Sequence, residues 1–176
     1  MIDPNNMFSQ SEENYLKTIL HLQLELKGGV STSNLAESLD TRAASVTEMI
    51  KRLAAKKLVN HERYYGVKLT NLGKKHALTI VRKHRLWESF LVKHLNFEWD
   101  EVHDIAEQLE HIKSKKLVEE LDRFLGRPKF DPHGDPFQIW RAICLKLRNA
   151  NFLNWKRGRR VFVKALMIPR LLSSNF

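Results

Sequence analysis

The sequence predicts a mainly α-helical protein, an N-terminal winged helix-turn-helix followed by a second, helical domain. Three observations predict it. Two short helices, a tight turn and a basic hairpin arrive in order within residues 31–70, the layout of a helix-turn-helix with a wing. Beyond them the apolar residues recur at helical spacing over long stretches. Within those stretches His and Glu repeat at offsets that place them on shared helix faces.

The elements follow in order. Ser11 is a candidate cap for a helix whose apolar positions Tyr15, Leu16, Ile19, Leu20, Leu22, Leu24 and Leu26 stop at Gly28-Gly29. A short helix is expected from Ser33 to Leu39, a turn at Asp40-Thr41, and a third helix from Ala43 to Lys56 that buries Val46, Met49, Ile50 and Leu53. That third helix displays Arg42, Ser45, Thr47, Glu48, Lys51 and Arg52; Ser33 on the second helix, Thr41 in the turn and Ala44 complete the candidate DNA-contacting set. Small hydroxyl side chains at such a position reach base edges or phosphates. Lys51, Arg52, Lys56, Lys57, Arg63 and Lys68 are placed to neutralise phosphates and supply salt-dependent affinity. Runs 58–63 and 67–70 read as the two strands of the wing around Tyr64-Tyr65-Gly66. A Lys/Arg-rich helix alone is usually a solvated face; the ordered set of four elements points to duplex DNA.

Lys74 to about Leu95 reads as a long helix, Glu98 to His111 as another, and Ser114 to Leu125 as a third that ends at Gly126-Arg127-Pro128. Long striped helices beyond a DNA-binding domain commonly dimerise, and Trp87, Phe90 and Leu91 are candidates for the interface or for the core. On the second helix His103, Glu107, Glu110 and His111 share one face, and His84 and Glu88 pair at i, i+4 on the first. Imidazole and carboxylate together suit a borderline divalent ion such as Mn²⁺, Fe²⁺ or Zn²⁺. Single helical histidines, such as His61, His76 and His94, are more often hydrogen-bonded or surface residues than ligands. Two helices presenting the same pair is the stronger signal.

Charge and cysteine usage bound the class. The formal charge is +10, yet all 20 acidic residues lie within 1–136 beside 21 of the 30 basic ones, so that part carries only +1. A single cysteine, Cys144, leaves no internal disulfide and fits a reducing cytoplasm. No signal peptide and no run long enough to span a membrane is evident. An enzyme with a hydrolytic Zn²⁺ is disfavoured: no separate general base is apparent, and the glycines are too few and badly placed for a phosphate loop.

From about Glu12 to Pro136 the chain resembles the diphtheria-toxin-repressor family of metal-dependent transcription regulators, which includes the manganese transport regulators. The resemblance runs through Glu13-Asn14-Tyr15-Leu16-Lys17-Thr18-Ile19, Asn34-Leu35-Ala36-Glu37-Ser38-Leu39, Ala44-Ser45-Val46-Thr47-Glu48-Met49, Leu69-Thr70-Asn71-Leu72-Gly73, Arg82-Lys83-His84-Arg85-Leu86 and Glu107-Gln108-Leu109-Glu110-His111, and closes on Pro132-His133-Gly134-Asp135-Pro136. It implies a winged-helix domain over 1–73 and a helical metal-binding and dimerisation domain over 74–136. It places His84, Glu88 and His103 at an ancillary metal site. Glu107, Glu110 and His111 fall at the primary, activating site, to which the first helix contributes at Asn14. Two departures stand out. Asn14 occupies a place where manganese regulators present Asp and iron regulators Met, and Lys17 occupies that of a second acidic ligand, which argues against a close binuclear copy. The all N/O donor set favours Mn²⁺ or Fe²⁺, with Zn²⁺ able to bind in vitro.

The implied function is a homodimeric, cytoplasmic repressor that binds a palindromic operator when Mn²⁺ or Fe²⁺ is bound and so governs metal-ion homeostasis. The alternative is a metal-independent winged-helix regulator whose helical domain serves only dimerisation. Residues 137–176 carry nine basic residues and no acid, with Trp140, Trp155 and Arg157-Gly158-Arg159-Arg160 in clusters. One reading is a basic amphipathic tail. The better-fitting expectation is a frameshift at Pro136/Phe137, because codons for Phe137 to Ser173 exist whose one-nucleotide shift begins Ile-Ser-Asp-Met-Glu-Gly-Asn-Met-Pro-Glu-Ala-Lys-Lys-Arg-Gln-Leu-Ser-Glu-Leu-Glu-Lys-Gly. That string is typical of the family after Gly-Asp-Pro. Such a tail is expected to pack poorly.

Overall fold

The computed structural model describes residues 8–62, 65–98 and 100–128. The tail at 137–176, the Pro132–Pro136 motif and Arg63 therefore lie outside the described residues.

Helix α1 spans Gln10–Leu26. Its cap is Ser9, not Ser11: the Glu12 N–H donates to the Ser9 hydroxyl at 3.3 Å and the Ser9 N–H donates to the Glu12 carboxylate at 2.9 Å. This reciprocal pair satisfies two of the orphan donors of the first turn. The helix ends where Lys27 turns left-handed (φ 53°), one residue before the glycine pair. Gly29 serves a different purpose: a Cβ there would stand 1.7 Å from the Tyr65 carbonyl oxygen, so only glycine lets the chain pass the wing.

Helix α2 (Thr32–Ser38) is capped by Ser31, and α3 (Ala43–Ala55) follows a turn through Asp40 (φ 47°). Strands β1 (Val59–Glu62) and β2 (Gly66–Leu69) pair antiparallel with Val59 opposite Leu69 and Glu62 opposite Gly66. Val30 adds a short third rung, exchanging hydrogen bonds of 2.9 and 2.8 Å with Val67. A single apolar residue between Gly29 and Ser31 leaves no alternation from which that pairing could be read. Leu16, Ile19, Leu35, Val46, Ile50, Leu53, Leu58 and Val67 are fully or almost fully buried and fasten these elements together, each contributing roughly 1.5–3 kcal/mol of burial free energy.

Helix α4 runs the 25 residues Asn71–Leu95 from its Thr70 cap to a left-handed Asn96. Its first turn lies against the wing: a Cβ at Gly73 would meet the Leu58 carbonyl oxygen at 2.0 Å. Helix α5 is shorter than the sequence suggests, Val102–Leu109 rather than 98–111. The Val102 and Glu101 N–H groups both donate to the Glu98 carbonyl in a lead-in turn, and the Ile112 N–H donates to the Leu109 carbonyl, tightening the exit. Glu110 and His111 thus sit on a turn, outside the helix proper. Helix α6 (Lys115–Phe124) starts at the Ser114 cap and closes through Gly126 at φ 76°.

Within 8–127 these elements form one compact unit. Helix α1 packs on α4 as well as on α2 and β2, so the first helix belongs structurally to both halves. Among the described residues no helix is long and apolar enough to cross a membrane.

Candidate metal centre and nucleic-acid interface

The periodicity of α4 carries His84 and Glu88 onto the side that meets α5, and both are buried. His84 Nε2 lies 3.0 Å from Glu88 Oε1. His103, from the opposing helix, stacks edge-on against His84 at 4.9 Å between centroids. Its Nδ1 is 3.6 Å from Glu88 Oε1, and its Nε2 is 3.5 Å from Glu107 Oε1. One donor atom from each of His84, Glu88 and His103 lies within 4.8 Å of the others, which meets the distance requirement for a common ion.

A second convergence adjoins the first. Glu110 is fully buried, with Oε2 at 2.6 Å from His84 Nδ1 and Oε1 at 2.6 Å from Lys17 Nζ and 3.8 Å from His111 Nε2. His111 Nδ1 meets Glu13 Oε2 at 2.5 Å. Lys17 also donates to Glu107 Oε1 at 3.1 Å. Glu13, Lys17, His84, Glu88, His103, Glu107, Glu110 and His111 therefore form one continuous network drawn from α1, α4, α5 and the turn after it.

The protonation pattern follows from those distances. Burial pulls the His84 imidazole down, but Glu110 and Glu88, one against each ring nitrogen, raise it above its ordinary value. Burial pushes the Glu88 carboxyl up, and the hydrogen bonds from His103 and His84 overcome this, leaving it at about 2. His103 is pushed up to about 10 by Glu107 and Glu88 against desolvation. The His103 contact, opposed by desolvation and aided by Lys17, holds Glu107 at about 2. Glu110 lies below its usual value although burial raises it, because His84 and Lys17 face it. In this state protons and the Lys17 ammonium balance the carboxylates. Three imidazoles and four carboxylates are all N/O donors, and they fit a divalent cation of the Mn²⁺/Fe²⁺ type, which would replace those protons on binding.

Asn14, expected to supply the first-helix ligand, is exposed, and Glu13 makes the contact to His111 instead. Adjacent positions on a helix differ by about 100°, so one residue decides which side chain faces the centre. The signal for Glu13 is its i, i+4 relation to Lys17, which puts both on the edge that meets α5. Glu12 is a further residue that the sequence reading does not single out. It is buried, 2.7 and 2.9 Å from Lys56 Nζ, with Arg52 at 3.7 Å.

In the winged helix Ser33, Arg42, Ala44, Ser45, Thr47, Glu48, Lys51 and Arg52 are exposed and Thr41 is half-buried. An open depression at the start of α3 is lined by Asp40, Thr41, Arg42 and Ser45. The Thr47 hydroxyl donates to the Ala43 carbonyl at 2.9 Å, and Lys51 pairs with Glu48 at 2.8 Å. Both contacts are local and exposed, so both groups remain within reach of a partner.

Comparison with known proteins agrees with this layout. Residues 7–67 match the family profile described as the iron-dependent repressor N-terminal DNA-binding domain, and residues 70–138 match the iron-dependent repressor metal-binding and dimerisation domain. The transcriptional regulator MntR of Oceanobacillus iheyensis is 33% identical over 125 residues, covering 71% of this chain and 84% of the relative. The iron-dependent repressor IdeR of Mycobacterium tuberculosis is 32% identical over 133 residues, covering 74% and 56% respectively. A solved manganese-dependent transcriptional repressor in complex with manganese superposes with a TM-score of 0.63 at 45% identity, over 72% of this chain and 57% of that one. The chain thus spans little more than half the length of several proteins it matches. On two contiguous profile matches and a relative covered over most of its length, the chain belongs to the iron-dependent repressor family.

Proposed function

We propose that the protein is a metal-dependent, DNA-binding transcriptional repressor of metal-ion homeostasis, acting in the cytoplasm as a homodimer on a palindromic operator, with Mn²⁺ or Fe²⁺ as corepressor. In this reading residues 1–73 form the DNA-binding domain and 74–136 the metal-binding and dimerisation domain. His84, Glu88 and His103 hold one ion. Glu107, Glu110 and His111 hold the activating one, with Glu13 as the first-helix donor that the geometry favours over Asn14. Ser33, Thr41, Arg42, Ala44, Ser45, Thr47, Glu48, Lys51, Arg52 and Arg63 face DNA.

The single observation that carries the reading is the 2.5 Å contact between His111 and Glu13. It joins the His/Glu turn to the first helix of the winged helix, so whatever the histidine does is felt by the DNA-binding half. A bound cation supplies a fixed positive charge that joins those donors more tightly than protons do. The protein's own groups do the rest: Glu13 and His111 set the seat of α1, α1 seats α3, and in a dimer the spacing of the two α3 helices decides whether both enter successive major grooves.

The test is gel retardation of the gene's own upstream DNA in titrations with Mn²⁺, Fe²⁺ and Zn²⁺. Glu110→Ala and His111→Ala are expected to lose metal-dependent retardation, a drop of at least about tenfold in affinity, while remaining dimeric by sedimentation. Full metal dependence in both variants refutes the assignment.

A further inference from the structure

Glu12 is, among the described residues, a buried charge that the metal centre does not use. A capping box needs one carboxylate oxygen on the Ser9 N–H and nothing more. Here Glu12 Oε2 accepts from both Ser9 N–H and Lys56 Nζ at 2.9 Å, and Oε1 accepts from Lys56 Nζ at 2.7 Å with Arg52 at 3.7 Å. Lys56 is the C-cap of α3 and Arg52 lies in its last turn. A buried carboxylate–ammonium pair is a weak source of stability, because desolvation offsets most of the attraction; its better-attested use is to fix one arrangement over another.

The surroundings say which arrangement. Glu12 and Glu13 are neighbours on the first turn of α1 and face different partners, Glu12 the end of α3 and Glu13 the His111 ring. The same turn is held from the metal side at a second point, where Lys113, two residues past His111, donates to the Phe8 carbonyl at 3.1 Å. The Phe8 ring lies 5.3 Å beneath Lys56 Nζ and edge-on to His76 of α4 at 4.6 Å. Residues 8–13 are thus clamped between the turn carrying His111 and the end of α3.

We propose that Glu12, through Lys56, is the coupling residue that carries changes at the His111 turn to the recognition helix, and that it does so without contacting either ion or DNA. The inference rests on the metal-controlled reading given above. Its signature is thermodynamic: losing the link leaves each binding event near its isolated strength and removes the effect of one on the other.

The experiment uses the full chain, a fluorescein-labelled duplex of the gene's upstream region, and Mn²⁺ against chelator. DNA affinity is measured by anisotropy with and without Mn²⁺, and Mn²⁺ affinity by calorimetry without DNA. Glu12→Gln is expected to hold Mn²⁺ affinity and metal-free DNA affinity within about threefold of wild type, while the ratio of DNA affinities with and without Mn²⁺ falls about tenfold or more. Lys56→Gln is expected to reduce that ratio equally even if it also weakens DNA binding uniformly, and the double variant no further, because the two side chains form one link. Should Glu12→Gln fail to fold, Lys56→Gln, altered at a partly exposed position, decides alone. A ratio in the folded variants within about twofold of wild type overturns the proposal and leaves the repressor reading intact. A wild-type ratio near one overturns both.

Discussion

Glu110 has no exposed surface and three cationic or imidazole neighbours, so the chemistry of the centre turns on how its charge is balanced. Lys17 does part of that work at 2.6 Å. An ammonium so close to a carboxylate proposed as a ligand competes with any divalent cation, and Lys17→Met is expected to tighten Mn²⁺ binding by about tenfold in calorimetry; equal or weaker binding would count against Glu107 and Glu110 as ligands. The shifted groups also set a pH profile for the ion-free fold. Glu88 and Glu107, held at about 2, contribute stability that is complete above the ordinary carboxylate value of 4.5 and lost as pH falls through about 2. His103, pushed up to about 10, contributes stability that is complete below 6.5 and lost as pH rises towards 10. Its side chain is 59% exposed against 10% for Glu88, so solvent screens its share and the acid limb is the steeper one. Urea midpoints across pH are expected to peak between about 4.5 and 6.5, with Glu88→Gln flattening the acid side.

At the scale of elements, α1 is the member that both halves share, and the wing is fitted to its neighbours at two glycines. Gly73→Ala forces a Cβ into the Leu58 carbonyl and is expected to cost about 1–3 kcal/mol in urea unfolding; an unchanged midpoint would mean that α4 does not seat against the wing as described. Most of these elements were legible in the sequence because apolar spacing, hydroxyl caps and glycines state them locally. The ends of α5 were not, since the His/Glu face continues at helical offsets past Leu109 while the backbone has already tightened into a turn. The cap of α1 lies two residues before the expected Ser11, which directly precedes Glu12 and Glu13, whereas Ser9 precedes Gln10; the Glu three positions on from Ser9 marks the true box. Six of the seven residues expected as metal ligands fall within the hydrogen-bonded network, His84, Glu88, His103 and Glu107 by their helical offsets and Glu110 and His111 through the turn after α5; their role as ligands stands as the proposal. Asn14 does not fall within it, for resemblance carries over a position in an alignment whereas the contact depends on the helix's rotation.

For the whole molecule, the match to the family's dimerisation domain and the exposed α3 face support the proposal of a two-headed DNA reader whose spacing an ion controls. In the proposed interface Arg42, Lys51 and Arg52, all exposed, contact phosphates, which makes the affinity fall steeply and log-linearly with salt. Raising salt from about 50 to 200 mM is expected to weaken the metal-loaded complex by orders of magnitude in the same anisotropy assay, and an affinity insensitive to salt would argue against α3 as the contacting face. The most direct measurement is the affinity of the purified full chain for its upstream duplex before and after exhaustive chelation. Tight binding with Mn²⁺ or Fe²⁺ that collapses on chelation and returns on re-addition is the predicted result. Equal binding in all three conditions would contradict ion control of the DNA-binding half.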